Sequence, residues 1–190
     1  MKLILNFWRK LMRPSKAAVG TVLAMGFIGG IIFWGAFNTG MEATNTEAFC
    51  SGCHASIVKE IRETIHFSNR SGVRAICSDC HVPHEWSDKI IRKVQASKEV
   101  FAFLMGTIST EEKFYARRKH LALREWQRMK ENDSQECRNC HNFEYMDLSE
   151  QGPRSRNQHS SALAKGEKTC VDCHKGIAHK LPDMSDVPGW

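Results

Sequence analysis

All eight cysteines of the chain fall in four copies of one pattern, Cys-x-x-Cys-His. In this pattern both thiols add to the vinyl groups of a haem, and the histidine that follows can ligate the iron. The sequence therefore predicts four covalently bound haem c groups. The residues expected to form thioethers are Cys50, Cys53, Cys77, Cys80, Cys137, Cys140, Cys170 and Cys173. The histidines expected on the proximal side of the irons are His54, His81, His141 and His174.

Two other uses of cysteine compete with haem attachment. Cys-x-x-Cys pairs also build zinc sites, and eight cysteines could form disulfides in an oxidising compartment. Neither use explains why a histidine follows the second cysteine in all four copies. Haem attachment is the preferred interpretation, and a structural zinc protein is the alternative.

An apolar stretch near the N-terminus predicts a single transmembrane helix. It runs from Ala17 to Phe37, and no charged residue occurs between Ala17 and Met41. A helix of that length would extend about 31 Å, enough to cross the hydrocarbon core of a bilayer. A cleaved signal peptide is the alternative, but the stretch is longer than the apolar part of most signal peptides and no small-x-small site ends it. Gly26 and Gly30 form a GxxxG pattern, which permits close helix contact in a homodimer.

Charge is distributed unevenly along the chain. Residues 1–16 contain five basic and no acidic residues, so the positive-inside rule predicts a cytoplasmic stub and export of the rest. From Glu42 onward, 22 Lys and Arg face 21 Asp and Glu, which leaves no basic footprint for nucleic acid. Leu, Ile, Val and Phe are only 27 of those 149 residues, fewer than a self-sufficient core needs. We expect porphyrin to supply the missing apolar interior.

The cysteines and histidines occur in the same order twice. The first half reads CxxCH, His66, CxxCH, His84, and the second reads CxxCH, His159, CxxCH, His179. A low-spin haem needs a second axial ligand, which predicts His66, His159 and His179 as distal ligands and His84 as a further candidate. Because His84 and His179 follow a motif histidine closely, each is expected on a neighbouring haem. His120 is interpreted as a solvated or packing histidine.

Two helical patterns without cysteine separate the halves. The first runs from about Ser87 to Met105 with its apolar residues on one stripe. The second begins at a capping-box pattern, Ser109 to Glu112, and continues to about Lys130. The apolar stripe of the first helix is expected to pack on haem, with contact to the membrane surface as the alternative.

Longer segments around the motifs narrow the class further. They are GGIIFWGAFNTGMEATNTEAFC, HFSNRSGVRAICSDCHVPHE, IRKVQASKE, NDSQECRNCHNFEYMD and TCVDCHKGIAHKLPDM. These segments resemble the NapC/NirT family of membrane-anchored tetrahaem cytochromes c, and the resemblance covers almost the whole chain.

Motifs, composition and resemblance together predict a mainly α fold with long loops. A single transmembrane helix at residues 17–38 would carry a periplasmic multihaem cytochrome c domain at residues 39–190. That domain would be built as two dihaem halves, at about residues 45–105 and 131–182.

The resemblance also implies an activity, that of a quinol dehydrogenase on the outer face of the bacterial inner membrane. Such proteins take electrons from menaquinol or ubiquinol and pass them to a soluble periplasmic reductase. We expect the periplasmic nitrate reductase, with reductases of nitrite or trimethylamine oxide as alternatives. The first motif begins 13 residues after Phe37, so its haem would be the entry point. A sensing protein that binds a gas at an open haem is the competing, non-enzymatic hypothesis.

Within IRKVQASKE, the resemblance implies that Lys93 and Glu99 lie beside the first haem and the quinol. A carboxylate can take a proton from the quinol, and a lysine can hydrogen-bond the departing oxygen. From the residues alone, a solvated helix face is the alternative. Many relatives ligate the first haem through a methionine two residues after the motif, where this chain has Ser56. His54 therefore stays a candidate ligand of the first haem, and Glu99 is a second candidate.

The purified protein is expected to contain four thioether-linked haems. Covalent haem survives denaturation whereas zinc does not, so a denaturing gel should stain for haem and the intact mass should include four haem groups. A double variant, Cys170→Ala with Cys173→Ala, should lose the mass of one haem, and Ser51→Ala should lose none. A polypeptide without added mass would exclude a c-type cytochrome.

Overall fold

The computed structural model describes residues 2–11, 14, 17–108 and 110–187. No strand occurs in those ranges. The helices are α1 (Lys2–Leu11), α2 (Val19–Ala43), α3 (Glu47–Ser51), α4 (Ala55–Ile61), α5 (Cys77–His81), α6 (Trp86–Leu104), α7 (Glu111–Glu131), α8 (Gln135–Arg138), α9 (Pro153–Gln158) and α10 (Cys170–Cys173). Two 3₁₀ turns, Phe143–Tyr145 and Leu148–Glu150, and a π-helical turn, His159–Leu163, complete them. The predicted mainly α fold with long loops is confirmed.

The first of two compact units ends at Ala43 and contains α1 and α2. Helix α2 is apolar on every side and has no buried residue, and its 25 residues make it long and apolar enough to cross a membrane. It continues past Phe37 to Ala43, beyond the predicted end of the anchor. Helix α1 lies within the predicted basic stub, where no helix was expected; its apolar side chains, including Leu3, Phe7 and Trp8, are exposed.

The second unit begins at Thr44 and contains every Cys-x-x-Cys-His motif. The two helices predicted between the halves are confirmed as α6 and α7. The predicted cap residue Ser109 lies outside the described residues. The side chain of Thr110 accepts a hydrogen bond from the Lys113 amide and so caps α7.

Few apolar side chains in the described ranges are buried. The buried apolar residues are Ile61, Val171 and Met184. Three charged residues are buried as well: Glu60, Arg118 and Glu136. The polypeptide by itself therefore forms a small apolar core, as the low content of Leu, Ile, Val and Phe predicts.

A buried ion pair joins three distant segments of the second unit. The guanidinium of Arg118 on α7 donates to both carboxylate oxygens of Glu60 on α4, with Nη1 to Oε1 at 2.6 Å. The amide of Lys180 donates to Glu60 Oε2 at 2.8 Å, and Arg118 Nη2 donates to the carbonyl of Lys180. The Glu60 side chain is only 4% exposed. The pair therefore holds the C-terminal segment against α4 and α7.

The second and fourth motifs begin with the same local structure. In the second, the amide of Ile76 donates to Asp79 Oδ2 at 2.8 Å; in the fourth, the amide of Thr169 donates to Asp172 Oδ2 at 2.8 Å. Each aspartate thus satisfies a backbone donor at the start of a helical turn and favours its N-terminus. The two motifs therefore share one local structure at their first residues.

The turn before the third motif is strained. Asp133 and Ser134 both have positive φ angles, 55° and 52°, in the left-handed region that residues other than glycine rarely adopt. Ser134 is fully buried, its amide donates to the Met129 carbonyl at 2.6 Å, and its Oγ accepts from the Val171 amide at 3.1 Å. These hydrogen bonds hold the turn in place and link the third motif to the fourth.

Replacing Glu60 with alanine is expected to lower the free energy of unfolding by about 3 to 5 kcal/mol, because Arg118 would keep a buried charge without its partner. Guanidinium denaturation of the haem-loaded protein, followed by circular dichroism, measures this change. Glu63→Ala is the matched control: Glu63 pairs with Lys180 at 3.5 Å while 66% exposed. It should cost less than about 1 kcal/mol.

The difference between wild type and Glu60→Ala should also depend on pH. Burial opposes ionisation of Glu60, but hydrogen bonds from Arg118 and the Lys180 amide outweigh it and lower its pKa below the usual 4.5. The stabilisation is therefore complete above pH 4.5 and is lost as the pH falls through the folded-state pKa. A difference that stays constant down to pH 3 would contradict this account of the ion pair.

Candidate functional site

The four motifs lie next to one another in chain order. Helix α3, with the first motif, contacts α5, which contains the second, and α5 contacts α8, which leads into the third. The thiols of Cys50 and Cys77 are close enough to interact, which lowers the pKa of Cys50 to about 6 and raises that of Cys77. The thiols of Cys137 and Cys170 interact in the same way, which lowers the pKa of Cys170 to about 6 and raises that of Cys137. The motifs therefore form a continuous row.

Three pairs of histidine rings lie at nearly the same separation. The ring centroids are 6.3 Å apart for His66 and His141, and 6.2 Å apart for His81 and His179. For His159 and His174 the separation is 6.0 Å. Each pair combines one motif histidine with one of the three histidines predicted as distal ligands.

The separation fits a metal between the rings. A metal about 2 Å from each of two opposed imidazole nitrogens places the ring centroids about 6 Å apart. The three pairs could therefore each hold a haem iron between two imidazoles. The residues present fit the group that the motifs predict.

Hydrogen bonds at Nδ1 orient three of the six paired rings. His66 Nδ1 lies 3.2 Å from the Ile177 carbonyl oxygen, and His159 Nδ1 lies 2.6 Å from Gln151 Oε1. His81 Nδ1 lies 2.9 Å from Glu125 Oε1. Each partner is an oxygen acceptor, so each ring donates its proton from Nδ1 and keeps a lone pair on Nε2. This is the tautomer that binds a metal through Nε2.

His179 is oriented differently. Its Nδ1 is buried and has no hydrogen-bond partner among the described residues. Burial, followed by the neighbouring His81, lowers the pKa of His179 to about 4. The ring is therefore neutral at pH 7, which is the form that coordinates metals.

Two of the three pairs cross between the halves of the sequence. His66 belongs to the first half and His141 to the second, and His81 and His179 are divided in the same way. The pair His159 and His174 lies within the second half. The repeated sequence order therefore corresponds to an interleaved unit, in which each half completes sites of the other.

The first motif has a carboxylate opposite its histidine. His54 Nε2 lies 3.8 Å from Glu99 Oε2, close to the sum of two metal–ligand distances of about 2 Å. Glu99 Oε1 accepts from both terminal nitrogens of Arg92 at 3.3 Å and pairs with Arg124 at 3.6 Å. Burial lowers the pKa of His54, although Glu99 opposes this shift. His54 and Glu99 could together hold an iron, or interact directly as an ion pair.

Lys93 also lies near the first motif. Its ammonium donates to the backbone oxygen of Thr44 at 2.9 Å and to the Thr44 hydroxyl at 2.7 Å. It is also close enough to the Cys50 thiol to contribute to lowering the pKa of that group. Helix α6 thus brings both predicted quinol-site residues to the first motif, Lys93 near Cys50 and Glu99 near His54.

Other predicted residues lie away from these contacts. His84 is exposed and, within the described ranges, faces no other histidine ring; His120 is exposed on α7. Conversely, sequence reasoning missed Glu125, Gln151 and Arg92, because a charged or amide residue on a helix or loop has no motif. The only available signal was the position of Glu125 within the second predicted helix, which continues to about Lys130.

All eight cysteines are among the described residues, and none is in a disulfide. Within those ranges, no three His, Cys, Asp or Glu side chains converge as a metal site of the zinc type.

A helical chain with repeated Cys-x-x-Cys-His motifs and facing imidazole pairs is typical of multihaem c-type cytochromes. The model of the NapC/NirT cytochrome c family, N-terminal region, matches residues 12–184. The chain belongs to the NapC/NirT cytochrome c family, whose members carry covalently bound haem c in electron transport.

Individual relatives agree with this assignment. The chain is 58% identical to the cytochrome c-type protein NapC of Paracoccus pantotrophus, over 97% of this chain and 80% of that protein. It is 55% identical to NapC of Escherichia coli K12, over 99% of this chain and 96% of that protein. It is 53% identical to the denitrification system component NirT of Stutzerimonas stutzeri, over 91% of this chain and 88% of that protein. No solved structure matches the chain.

Replacing Gly176 with alanine is expected to disturb the segment that supplies Ile177 and His179. Gly176 has φ 70°, and a Cβ there would lie 2.7 Å from Leu181 Cγ. The left-handed backbone alone costs an L-residue about 1 to 2 kcal/mol. Lower stability and altered low-spin electron paramagnetic resonance (EPR) signals from two haems should result.

Gly152→Ala is the matched control for Gly176→Ala. Gly152 has φ −60°, and a Cβ there would meet nothing within 4 Å. This variant should leave stability and spectra unchanged. If both variants behaved like wild type, the C-terminal segment would not hold the His66 and His179 contacts as described.

Proposed function

We propose that this protein is a membrane-anchored quinol dehydrogenase that passes electrons from menaquinol or ubiquinol through four haem c groups to a periplasmic reductase. The observation that carries the proposal is that one helix, α6, places Lys93 near Cys50 and Glu99 near His54 of the first motif. Family membership supports the redox class, and these two side chains supply the groups that quinol oxidation needs.

Each haem would be attached by the two cysteines of one motif. The irons of the second, third and fourth haems would be held by three histidine pairs: His81 with His179, His141 with His66, and His174 with His159. For the haem of the first motif, the candidate ligands are His54 and Glu99, which contact each other. His84 has no partner in this scheme. When bound, haem c supplies a one-electron carrier, and a row of four gives a conducting path.

Glu99 and Lys93 would handle the protons of the substrate. Oxidation of a quinol releases two protons, and a carboxylate near the ring hydroxyl can accept one. Arg92 and Arg124 hold the Glu99 carboxylate in place. Lys93, fixed by Thr44, would donate a hydrogen bond to a substrate oxygen.

The membrane location rests on α2 and its flanks. Cys50 follows the end of α2 by seven positions, so the chain can extend at most about 25 Å between them. The first haem would therefore stay near the bilayer surface, where a lipid-soluble quinol can reach it. The basic residues before α2 favour a cytoplasmic stub and a periplasmic haem domain from about residue 39. A homodimer through Gly26 and Gly30 stays a prediction.

The redox partner is proposed from the names of the relatives. The resemblance to NapC favours the periplasmic nitrate reductase. Similarity to NirT, a denitrification component, and to TorC keeps reductases of nitrite and trimethylamine oxide as alternatives.

The activity is tested with the haem-loaded full-length protein in liposomes. A menaquinol analogue should reduce its haems, monitored by visible absorption. Glu99→Gln should slow this reduction roughly 100-fold and Lys93→Ala roughly tenfold, in the range of lost acid–base catalysis. Reduction of all four haems by dithionite must be unchanged in both.

Lys98→Ala is the matched control, because Lys98 is an exposed lysine on the same helix. It should reduce at the wild-type rate. A wild-type protein that dithionite reduces but menaquinol and ubiquinol analogues do not would refute the proposed activity. Carbon monoxide binding without quinol turnover would favour the sensing alternative.

A further inference from the structure

The acceptors at the histidine Nδ1 atoms differ in charge. His66 meets a neutral backbone carbonyl, and His159 meets a neutral side-chain amide. His81 meets the carboxylate of Glu125 at 2.9 Å. Among the described Nδ1 contacts of the paired histidines, the one at His81 is therefore distinct in having an anionic acceptor.

The Glu125 carboxylate is fixed by a cluster of charged groups. Arg128 donates to Glu125 Oε1 from Nε at 3.0 Å and from Nη2 at 2.8 Å. The same guanidinium donates from Nη1 to Glu136 Oε1 at 2.6 Å, and Asn132 donates to the other oxygen of Glu136. The Glu136 side chain is 1% exposed, so the cluster is anchored in the interior.

The cluster is tied to the second motif by its backbone as well as by its histidine. Arg128 Nη2 donates to the Cys80 carbonyl at 3.2 Å, one residue before His81. Two carboxylates and one guanidinium leave a net negative charge beside this motif. Both the hydrogen bond and the charge act on the same proposed haem.

We propose that Glu125 lowers the reduction potential of the haem attached at the second motif, making it the lowest of the three bis-histidine haems. A carboxylate that accepts the Nδ1 proton of an iron-bound imidazole makes the ligand a stronger electron donor. A stronger donor stabilises ferric over ferrous iron. Glu125 acts through His81 and is a tuning residue. The inference rests on the ligand pairs of the proposed function.

The experiment is a spectroelectrochemical titration of the haem-loaded protein with soluble mediators and no quinol. Glu125→Gln keeps a hydrogen-bond acceptor at the same place but removes the charge. One of the four midpoint potentials should shift to a more positive value, and the other three should stay within error. The low-spin EPR signal of the same haem should change its g values and not disappear.

Gln151→Glu is the reciprocal variant. It places a carboxylate against His159 Nδ1, which now meets an amide. A different midpoint potential, that of the fourth motif's haem, should shift to a more negative value. Glu131→Gln is the neutral control: it removes a carboxylate from the same helix as Glu125, at a position bonded to Gln127. It should change no midpoint.

Unchanged potentials in a Glu125→Gln protein with four haems would overturn the inference. Loss of a low-spin signal would overturn it as well, because Glu125 would then be needed to place the ligand. Both readings are independent of quinol turnover, so they separate this inference from the proposed activity. A protein without four haems would refute the ligand scheme itself.

Discussion

The facing imidazole pairs are the constraint from which the rest of the second unit follows. Rings about 6 Å apart must come from segments that are held firmly, because a metal tolerates little error in ligand distance. Two of the three pairs join residues far apart in sequence, 66 with 141 and 81 with 179. The long loops and short helical turns of this unit are arranged so that these rings meet.

Charged groups provide much of the support that apolar packing provides in other domains. The polypeptide buries few apolar side chains in its described ranges, but it buries Glu60 with Arg118, and it buries Glu136 against the half-buried Arg128. Each arginine also donates to a backbone carbonyl, Lys180 or Cys80, beside a paired histidine. Directional bonds of this kind fix the ligand segments in a way that a small hydrophobic core could not.

Sequence reasoning predicted what is local and missed what is distant. The apolar helix, α6 and α7 follow from composition and periodicity. The four Cys-x-x-Cys-His motifs can be recognised directly in the sequence. The partner of each histidine cannot be recognised in this way. The repeat suggests equivalent halves, whereas the structure pairs His66 with His141 but His159 with His174. Positions such as Glu125 and Gln151 are chosen by tertiary contacts alone, and a single sequence carries no trace of them.

The segment that closes over the second motif lies at the end of the chain, where His179, the Ile177 carbonyl and the Lys180 backbone all contact residues of the first half. Two of these contacts join residues 111 and 120 positions apart, so they form only when the second half of the chain has folded back on the first. Closing loops of this length costs conformational entropy, which the hydrogen bonds of the C-terminal segment must offset.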